Sequence, residues 1–202
     1  MARPAIVVDG RGGLPDEICR QLRLAAARVH GGAFAADAAE SHLAHHPRER
    51  PAAVVLVAGS RVAVEATLPW QRAAVLHLPV TCDGRVAVVG PLVVPGAGGC
   101  WRCHALTAHD LDALGAPGAG QAGVDHVALP TGSLGVLTAA VTATVVLAAV
   151  AGAPGLAGVS TDIDVTGPSV VHRHWGRHPL CTDCSPEVAP SRLPRSQDTM
   201  AG

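Results

Sequence analysis

Four cysteines in two C-x-x-C pairs constrain this chain more than any other feature: Cys100 with Cys103, and Cys181 with Cys184. A C-x-x-C turn directs two thiolates at one ion, and two such turns complete the tetrahedral sulfur set that zinc prefers, at about 2.3 Å per bond. Because four protein thiolates leave no position open, the ion is expected to be structural and not catalytic. The pairs predict a zinc site that joins the middle of the chain to its carboxyl end.

Two other interpretations of the cysteine pairs stay open at this point. A disulfide framework is disfavoured in a reducing cytosol and in a chain of this size. A redox C-x-x-C motif usually begins a helix that follows a strand, whereas the second pair follows His178 and Pro179 near the carboxyl end. The spacing therefore favours zinc over both.

The composition indicates one globular domain that does not bind nucleic acid. The 202 residues are 49% hydrophobic and 15% charged, which is enough for a core. A net charge of −1 and 2% aromatic residues provide neither the positive field nor the stacking surface that nucleic acids require. The chain has no lysine, which excludes mechanisms that use a P-loop lysine or a Schiff base. We expect one domain over residues 1–184 and a disordered tail over residues 185–202.

Short apolar runs alternate with helical patterns along the chain. The strands predicted before the first cysteine pair are Ala5–Val8, Gly31–Phe34, Ala52–Ala58, Ala74–Val80, and Arg85–Val89 with Leu92–Val94 as a hairpin-like continuation. The helices predicted there are Asp16–Val29, Ala36–Glu49 and Ala63–Ala74. A helix is predicted at Ala108–Leu114, and a hairpin pairs Gly158–Val165 with Ser169–Trp175. This order predicts an α/β, Rossmann-like, mostly parallel sheet with helices on both faces and an antiparallel carboxyl-terminal hairpin.

The apolar stretch Thr131–Ala151 is long enough to span a bilayer. It is rich in Ala, Thr, Gly and Val and is bracketed by Pro130 and Pro154, as is typical of a soluble core helix. A single crossing would also place the two cysteine pairs on opposite sides of the membrane. The amino terminus has too short an apolar run for a signal peptide. We therefore expect a cytoplasmic protein without a membrane span.

A glycine-rich loop follows the first predicted strand, with Gly10, Gly12 and Gly13 between Asp9 and Pro15. Such loops let the backbone approach the phosphates of a nucleotide at a helix start. Pro15 removes an N–H that an anion site would use, and Asp9 adds a negative charge at the same place. An ordinary turn is the favoured interpretation, and a nucleotide site is the other.

Three segments carry a resemblance to a known family: His77–Val80, Val88–Cys103, and His172–Cys184, with the sequence HRHWGRHPLCTDC. They resemble the ThiF/MoeB-type, ubiquitin-activating-enzyme-like superfamily. More narrowly, they are similar to the actinobacterial branch of bacteriocin-biosynthesis cyclodehydratases and azole-peptide (TOMM) leader-peptide-binding proteins. The resemblance covers about residues 6–184 and implies a tetrathiolate zinc on Cys100, Cys103, Cys181 and Cys184.

The resemblance also implies an ATP and magnesium site, for which Gly10, Gly12, Gly13 and Asp37 are the candidate residues. The chain departs from members that form an acyl-adenylate, because its glycine loop ends in Pro15 and it has no lysine for the phosphates. It also begins at the first strand, without the winged-helix leader-binding region of the azole-peptide members. The match is thus to a truncated and degenerate member.

These observations predict a non-catalytic, zinc-stabilised scaffold, a pseudoenzyme that docks a partner enzyme or precursor peptide in ribosomal peptide modification. A homodimer through the apolar helix is expected. The alternative is an ATP-dependent adenylyltransferase that activates a peptide or carrier-protein carboxylate at the glycine loop.

Several histidines and one further cysteine have two interpretations each. His42, His45 and His46 have helical spacing for a metal, but a solvated face is favoured. In the group His172, His174 and His178, one side chain is a candidate to hydrogen-bond a thiolate, and an exposed hairpin is the simpler interpretation. Cys82 is a candidate nucleophile, with a plain, partly buried thiol favoured.

Overall fold

A single sheet of seven strands organises the chain in the computed structural model, which describes residues 5–114, 132–164 and 166–184. The strands are β1 (Ile6–Asp9), β2 (Val29–Gly32), β3 (Ala53–Ala58), β4 (Leu76–Cys82), β5 (Val86–Val89), β6 (Val159–Asp164) and β7 (Ser169–His174). The α-helices are α1 (Gly13–Leu24), α2 (Ala35–His45), α3 (Leu68–Arg72), α4 (Trp101–Ala113) and α5 (Ser133–Val150). The predicted tail over residues 185–202 lies outside the described residues.

The sheet is mixed, with the strand order β2-β1-β3-β4-β5-β6-β7. The first four strands pair in parallel, and the pairs β4 with β5, β5 with β6 and β6 with β7 are antiparallel. Half of the neighbouring pairs are therefore antiparallel, whereas we predicted a mostly parallel sheet. The reversal begins at Asp83, whose carboxylate accepts the backbone N–H groups of Arg85 and Val86 and closes a tight turn between β4 and β5.

Helices cover both faces of the sheet, as predicted. Side chains alternate along β1, so that Ile6 and Val8 belong to one core and Val7 belongs to the other. The first core contains the buried side of α1 together with α5. The second core contains α2, Trp70 of α3, and the start of α4 with its cysteines. The first cysteine pair is thus part of a hydrophobic core.

The helices have different bounds from those predicted, and α1 and α4 show why. Helix α1 ends at Leu24 instead of Val29, because Val29–Gly32 forms β2 beside β1. Helix α4 begins at Trp101, directly after Cys100, whereas a helix was predicted only from Ala108. Sheet pairing in the first case and the cysteine turn in the second set bounds that helical periodicity alone does not reveal.

Helix α5 is the one helix of the described residues that is long and apolar enough to cross a membrane by length and composition, with a mean hydropathy of 2.1. Here it packs against α1 and the sheet. Its buried positions are Leu134, Gly135, Thr138, Ala139, Thr142, Ala143 and Val146. Val136 and Leu137 on its other side are exposed.

Candidate metal centre

The two cysteine pairs come together at the amino-terminal end of α4. Cys100 is the residue directly before α4, Cys103 lies in the first turn, and Cys181 and Cys184 follow β7. All four Sγ atoms lie within 4.8 Å of one another. This is the convergence that the spacing predicted.

The distances between the sulfur atoms fit a tetrahedral metal site. Cys100 Sγ lies 3.9 Å from Cys103 Sγ and 3.5 Å from Cys181 Sγ, and Cys103 Sγ lies 3.3 Å from Cys184 Sγ. A tetrahedron with zinc–sulfur bonds of about 2.3 Å has edges of about 3.8 Å. A disulfide would need about 2.05 Å, and none of these cysteines forms one. Four thiols at these distances fit a closed zinc site.

Burial and hydrogen bonding shift the pKa values of three of the four thiols, and not all in the same direction. Burial raises the pKa of Cys100 well above its usual value and raises that of Cys184 to about 11. Burial also opposes ionisation of Cys103, but hydrogen bonds from the backbone of His178 and from Cys184 lower its pKa overall. The start of α4 adds a positive electrostatic potential that favours thiolates. Among these three thiols, Cys103 therefore ionises most readily to the thiolate that binds a metal ion.

Three aromatic rings form one wall beside the cysteines. The His104 ring stacks on Trp101, with centroids 4.5 Å apart, and meets the Trp175 ring edge-on at 4.3 Å. The Trp101 indole N–H donates to the Val62 carbonyl oxygen at 3.0 Å. Burial lowers the pKa of His104 to about 4, so this ring is neutral at physiological pH. The three rings connect the first turn of α4 to the residue that follows β7.

The segment after β7 is held against the α4 region by contacts that involve no sulfur. The Arg177 guanidinium donates to the carbonyl oxygens of Gly98, at 3.0 Å, and Gly96, at 3.4 Å. A Cβ on Gly99 would collide with the carbonyl oxygen of Gly176, so the two backbones touch directly. These contacts bring the second cysteine pair to the first.

Two carboxylates extend this contact. The Arg102 guanidinium lies 3.6 Å from Asp183 Oδ2, and each of these residues occupies the third position of its C-x-x-C pair. His178 Nε2 lies 2.9 Å from Asp110 Oδ2, and the His178 side chain is only 8% exposed. Sequence reasoning missed Asp110 and Asp183, because their partners lie in a distant part of the chain.

The histidines of the two predicted groups do not gather around a common point in the structure. His42 lies 3.0 Å from Glu49, and its ring packs on that of His46, on an exposed part of α2. His172 contacts the Thr161 hydroxyl at 3.0 Å, and His174 is exposed on β7. His178 is the member of its group that reaches the cysteines, through its backbone and not through its ring.

The glycine loop stands at the carboxyl end of β1, as a nucleotide loop would. Gly10 has a φ of +152°, and a Cβ there would approach Val57 Cβ to 3.0 Å and Pro15 Cγ to 3.2 Å. Gly12 precedes α1 with a φ of +96°, and Gly13 is the first residue of the helix. Asp37 lies exposed in the first turn of α2.

Side chains of this chain meet each other around the glycine loop. Asp9 Oδ1 accepts the backbone N–H of Ala36 at 3.1 Å, so one oxygen of this carboxylate is hydrogen-bonded to the start of α2. The Arg11 guanidinium lies 4.8 Å from the centroid of the Phe34 ring. Phe34 has left-handed backbone, with a φ of 66°, and is 62% exposed. Arg11 and one oxygen of Asp9 therefore each have a partner within this chain.

The remaining two cysteines are buried thiols. Cys82 is 1% exposed at the end of β4, and Cys19 is 4% exposed on α1. Burial raises the pKa of both thiols. Cys82 therefore lacks both the access and the acidity that a nucleophile requires.

No family model matches the chain, and no curated protein matches it in sequence. Solved structures match it in fold. The heterocyclase TruD superimposes with a TM-score of 0.63 at 20% identity, over 90% of this chain and 27% of that chain. E. coli MccB with succinimide superimposes with a TM-score of 0.61 at 15% identity, over 90% of this chain and 67% of that chain.

The microcin C7 biosynthetic enzyme MccB in complex with N-formylated MccA gives a TM-score of 0.60 at 15% identity, over 90% of this chain and 67% of that chain. The chain thus spans about a quarter of TruD and about two thirds of MccB. At these identities the likeness establishes the fold alone.

Proposed function

We propose, since the chain has the fold of the heterocyclase TruD and of MccB, that it is a zinc-stabilised, non-catalytic partner protein in ribosomal peptide modification of the azole or bacteriocin type. Its partner is a modification enzyme or a precursor peptide. The complex of MccB with N-formylated MccA supports a peptide partner by analogy. The further proposals are a cytoplasmic location and a homodimer.

The glycine loop carries the non-catalytic part of this proposal. In an adenylating site, the carboxyl end of β1 and the start of α1 must be free to receive phosphates and a magnesium ion. Here one Asp9 oxygen accepts the backbone N–H of Ala36, Arg11 lies over Phe34, and Pro15 offers no N–H. We therefore derive no ATP-dependent step for this chain.

The metal centre supports a structural role for the ion. Cys100, Cys103, Cys181 and Cys184 would hold zinc, and the ion would supply only cross-linking of the two segments. Four sulfur ligands fill the coordination of zinc, so no position remains for water or substrate. A closed site suits a scaffold.

One observation favours the second candidate, an ATP-dependent adenylyltransferase. Arg11 stands directly before Gly12 and Gly13 at the start of a helix of 12 residues, where a cation and free N–H groups attract an anion. Rotation of the Arg11 side chain away from Phe34 would make its charge available.

Isotope exchange between ATP and pyrophosphate distinguishes the two candidates. We expect no exchange above background for the purified protein, with or without a candidate precursor peptide. The matched variant is Gly12→Val, which blocks the loop. Exchange by the wild type that Gly12→Val abolishes would overturn the non-catalytic proposal.

The partner is sought by affinity purification from the native cell with mass spectrometry. We expect a peptide-modification enzyme or a precursor peptide to be enriched with the wild type and reduced with Cys181→Ser, whose carboxyl segment is no longer cross-linked. Equal recovery of the same proteins with both forms would contradict a role for the metal-stabilised fold. The absence of any such protein would contradict the assignment to peptide modification.

A further inference from the structure

His178 contacts both α4 and the second cysteine pair of the candidate metal centre. It precedes the second cysteine pair by three residues, and its ring contacts α4 and not the cysteines. The Leu180 backbone N–H donates to His178 Nδ1 at 3.1 Å. The neutral imidazole therefore carries its proton on Nε2, which donates to Asp110 Oδ2 at 2.9 Å. Both ring nitrogens therefore have a hydrogen-bond partner.

The backbone of His178 acts on two ligand cysteines at once. Its N–H donates to the Cys103 sulfur. Its carbonyl oxygen accepts the N–H of Cys181 at 3.0 Å. One residue thus connects a ligand of the first pair with a ligand of the second.

Helix geometry explains why Asp110 is the partner of the ring. Cys103 and Asp110 are seven residues apart on α4, so they lie on one face, two turns from each other. His178 bridges this face, with its backbone at Cys103 and its ring at Asp110. The Asp110 contact therefore fixes the position of the His178 backbone relative to the Cys103 sulfur.

We propose that His178 is a positioning residue for the metal centre: anchored by Asp110, it orients the Cys103 thiolate and places Cys181 opposite it. The inference rests on the proposed zinc site. Hydrogen-bonded groups around metal ligands typically change metal affinity by about 10–100-fold when they are removed. We expect a loss of zinc affinity in this range without loss of the fold.

The test measures zinc affinity by competition with a chromophoric chelator, and the absorption spectrum after substitution of cobalt for zinc. His178→Ala and Asp110→Ala should each weaken zinc binding by about 10–100-fold and alter the cobalt–thiolate bands. His178→Gln keeps a donor toward Asp110 and should recover part of the affinity. Asp110→Ala changes a side chain that is 60% exposed, so it tests the contact if His178→Ala fails to fold.

The matched controls lie on the same helix. His109→Ala and Asp112→Ala remove an exposed imidazole and an exposed carboxylate that make no hydrogen bond or ion pair within the described residues. Both should bind zinc like the wild type. Wild-type affinity and spectra for His178→Ala and Asp110→Ala would overturn the inference, whereas a wild type that binds no zinc would overturn the proposed metal site itself.

Discussion

Single residues decide the chemistry of the candidate metal centre and of the glycine loop. At the candidate metal centre, the cysteine spacing was enough to predict that the four sulfur atoms converge, because C-x-x-C geometry is local and few other structures use it twice. At the glycine loop, the pattern alone was ambiguous. The groups that the loop offers to a ligand depend on Phe34 and on the N–H of Ala36, which contact Arg11 and Asp9 from the start of α2. Tertiary contacts of this kind are invisible in a local motif.

His77 gives a prediction for the pH dependence of stability. It is 1% exposed in β4; its Nδ1 donates to the Val75 carbonyl oxygen at 3.0 Å, and its Nε2 has no hydrogen-bond partner among the residues that the structure describes. Burial lowers its pKa from 6.5 to about 4. Between these values the unfolded chain binds a proton that the folded chain does not, so the free energy of unfolding falls as the pH decreases, by about 3 kcal/mol.

Urea denaturation at several pH values measures this effect. Above pH 6.5 the His77 contribution is fully present, and it is lost as the pH falls to 4. His77→Gln removes the titrating group, so the difference between wild type and variant should depend on pH in this window. A difference that is constant with pH would contradict the burial of a neutral imidazole.

At the scale of elements, the strands were predicted better than the helices. Apolar runs such as Ala53–Ala58 are bounded by polar or turn residues, so their limits are visible in the sequence. Helix α4 was predicted too late, because its first turn consists of Trp101, Arg102 and Cys103, and Trp101 and Cys103 are buried in the second core, which the local sequence does not reveal. The antiparallel hairpin of β6 with β7 was predicted, but the antiparallel pairs β4 with β5 and β5 with β6 were not, since the direction in which a strand joins the sheet depends on its neighbours there.

The junction between the two cysteine-bearing segments gives a second prediction. Gly99→Ala places a methyl group against the Gly176 carbonyl, so one backbone must move. We expect a loss of stability of about 1–3 kcal/mol and weaker zinc binding. Gly176→Ala is the matched control, because a Cβ there meets nothing within 4 Å. Equal thermal stability of the two variants would show that the segments do not touch in this way.

Helix α5 gives a third prediction, which concerns its two sides. Ala139 is 0% exposed against the first core, so Ala139→Leu should overpack it and cost about 1–3 kcal/mol. Leu137 is 43% exposed, so Leu137→Ala should change stability by less than about 1 kcal/mol. Denaturation of protein recovered without detergent measures both. Recovery only from the membrane fraction would contradict a core helix.

For the whole molecule, the sulfur cluster and the contacts around it connect the last described segment to the rest of the fold. The sheet brings β7 to the opposite edge from β2, and the chain then returns to α4, where the sulfurs meet. The α/β class and the hairpin could be predicted, because they follow from the order of elements. The partner could not, since recognition depends on surfaces that composition does not describe.

Metal analysis of the protein purified without chelator tests the central claim most directly. We predict one zinc ion per chain for the wild type and for Cys82→Ser, a buried cysteine outside the centre. Cys181→Ser should lose the ion and destabilise the carboxyl half, because structural zinc contributes on the order of 10 kcal/mol in small modules. A zinc-free wild type, or a Cys181→Ser variant that retains one zinc per chain, would contradict the account.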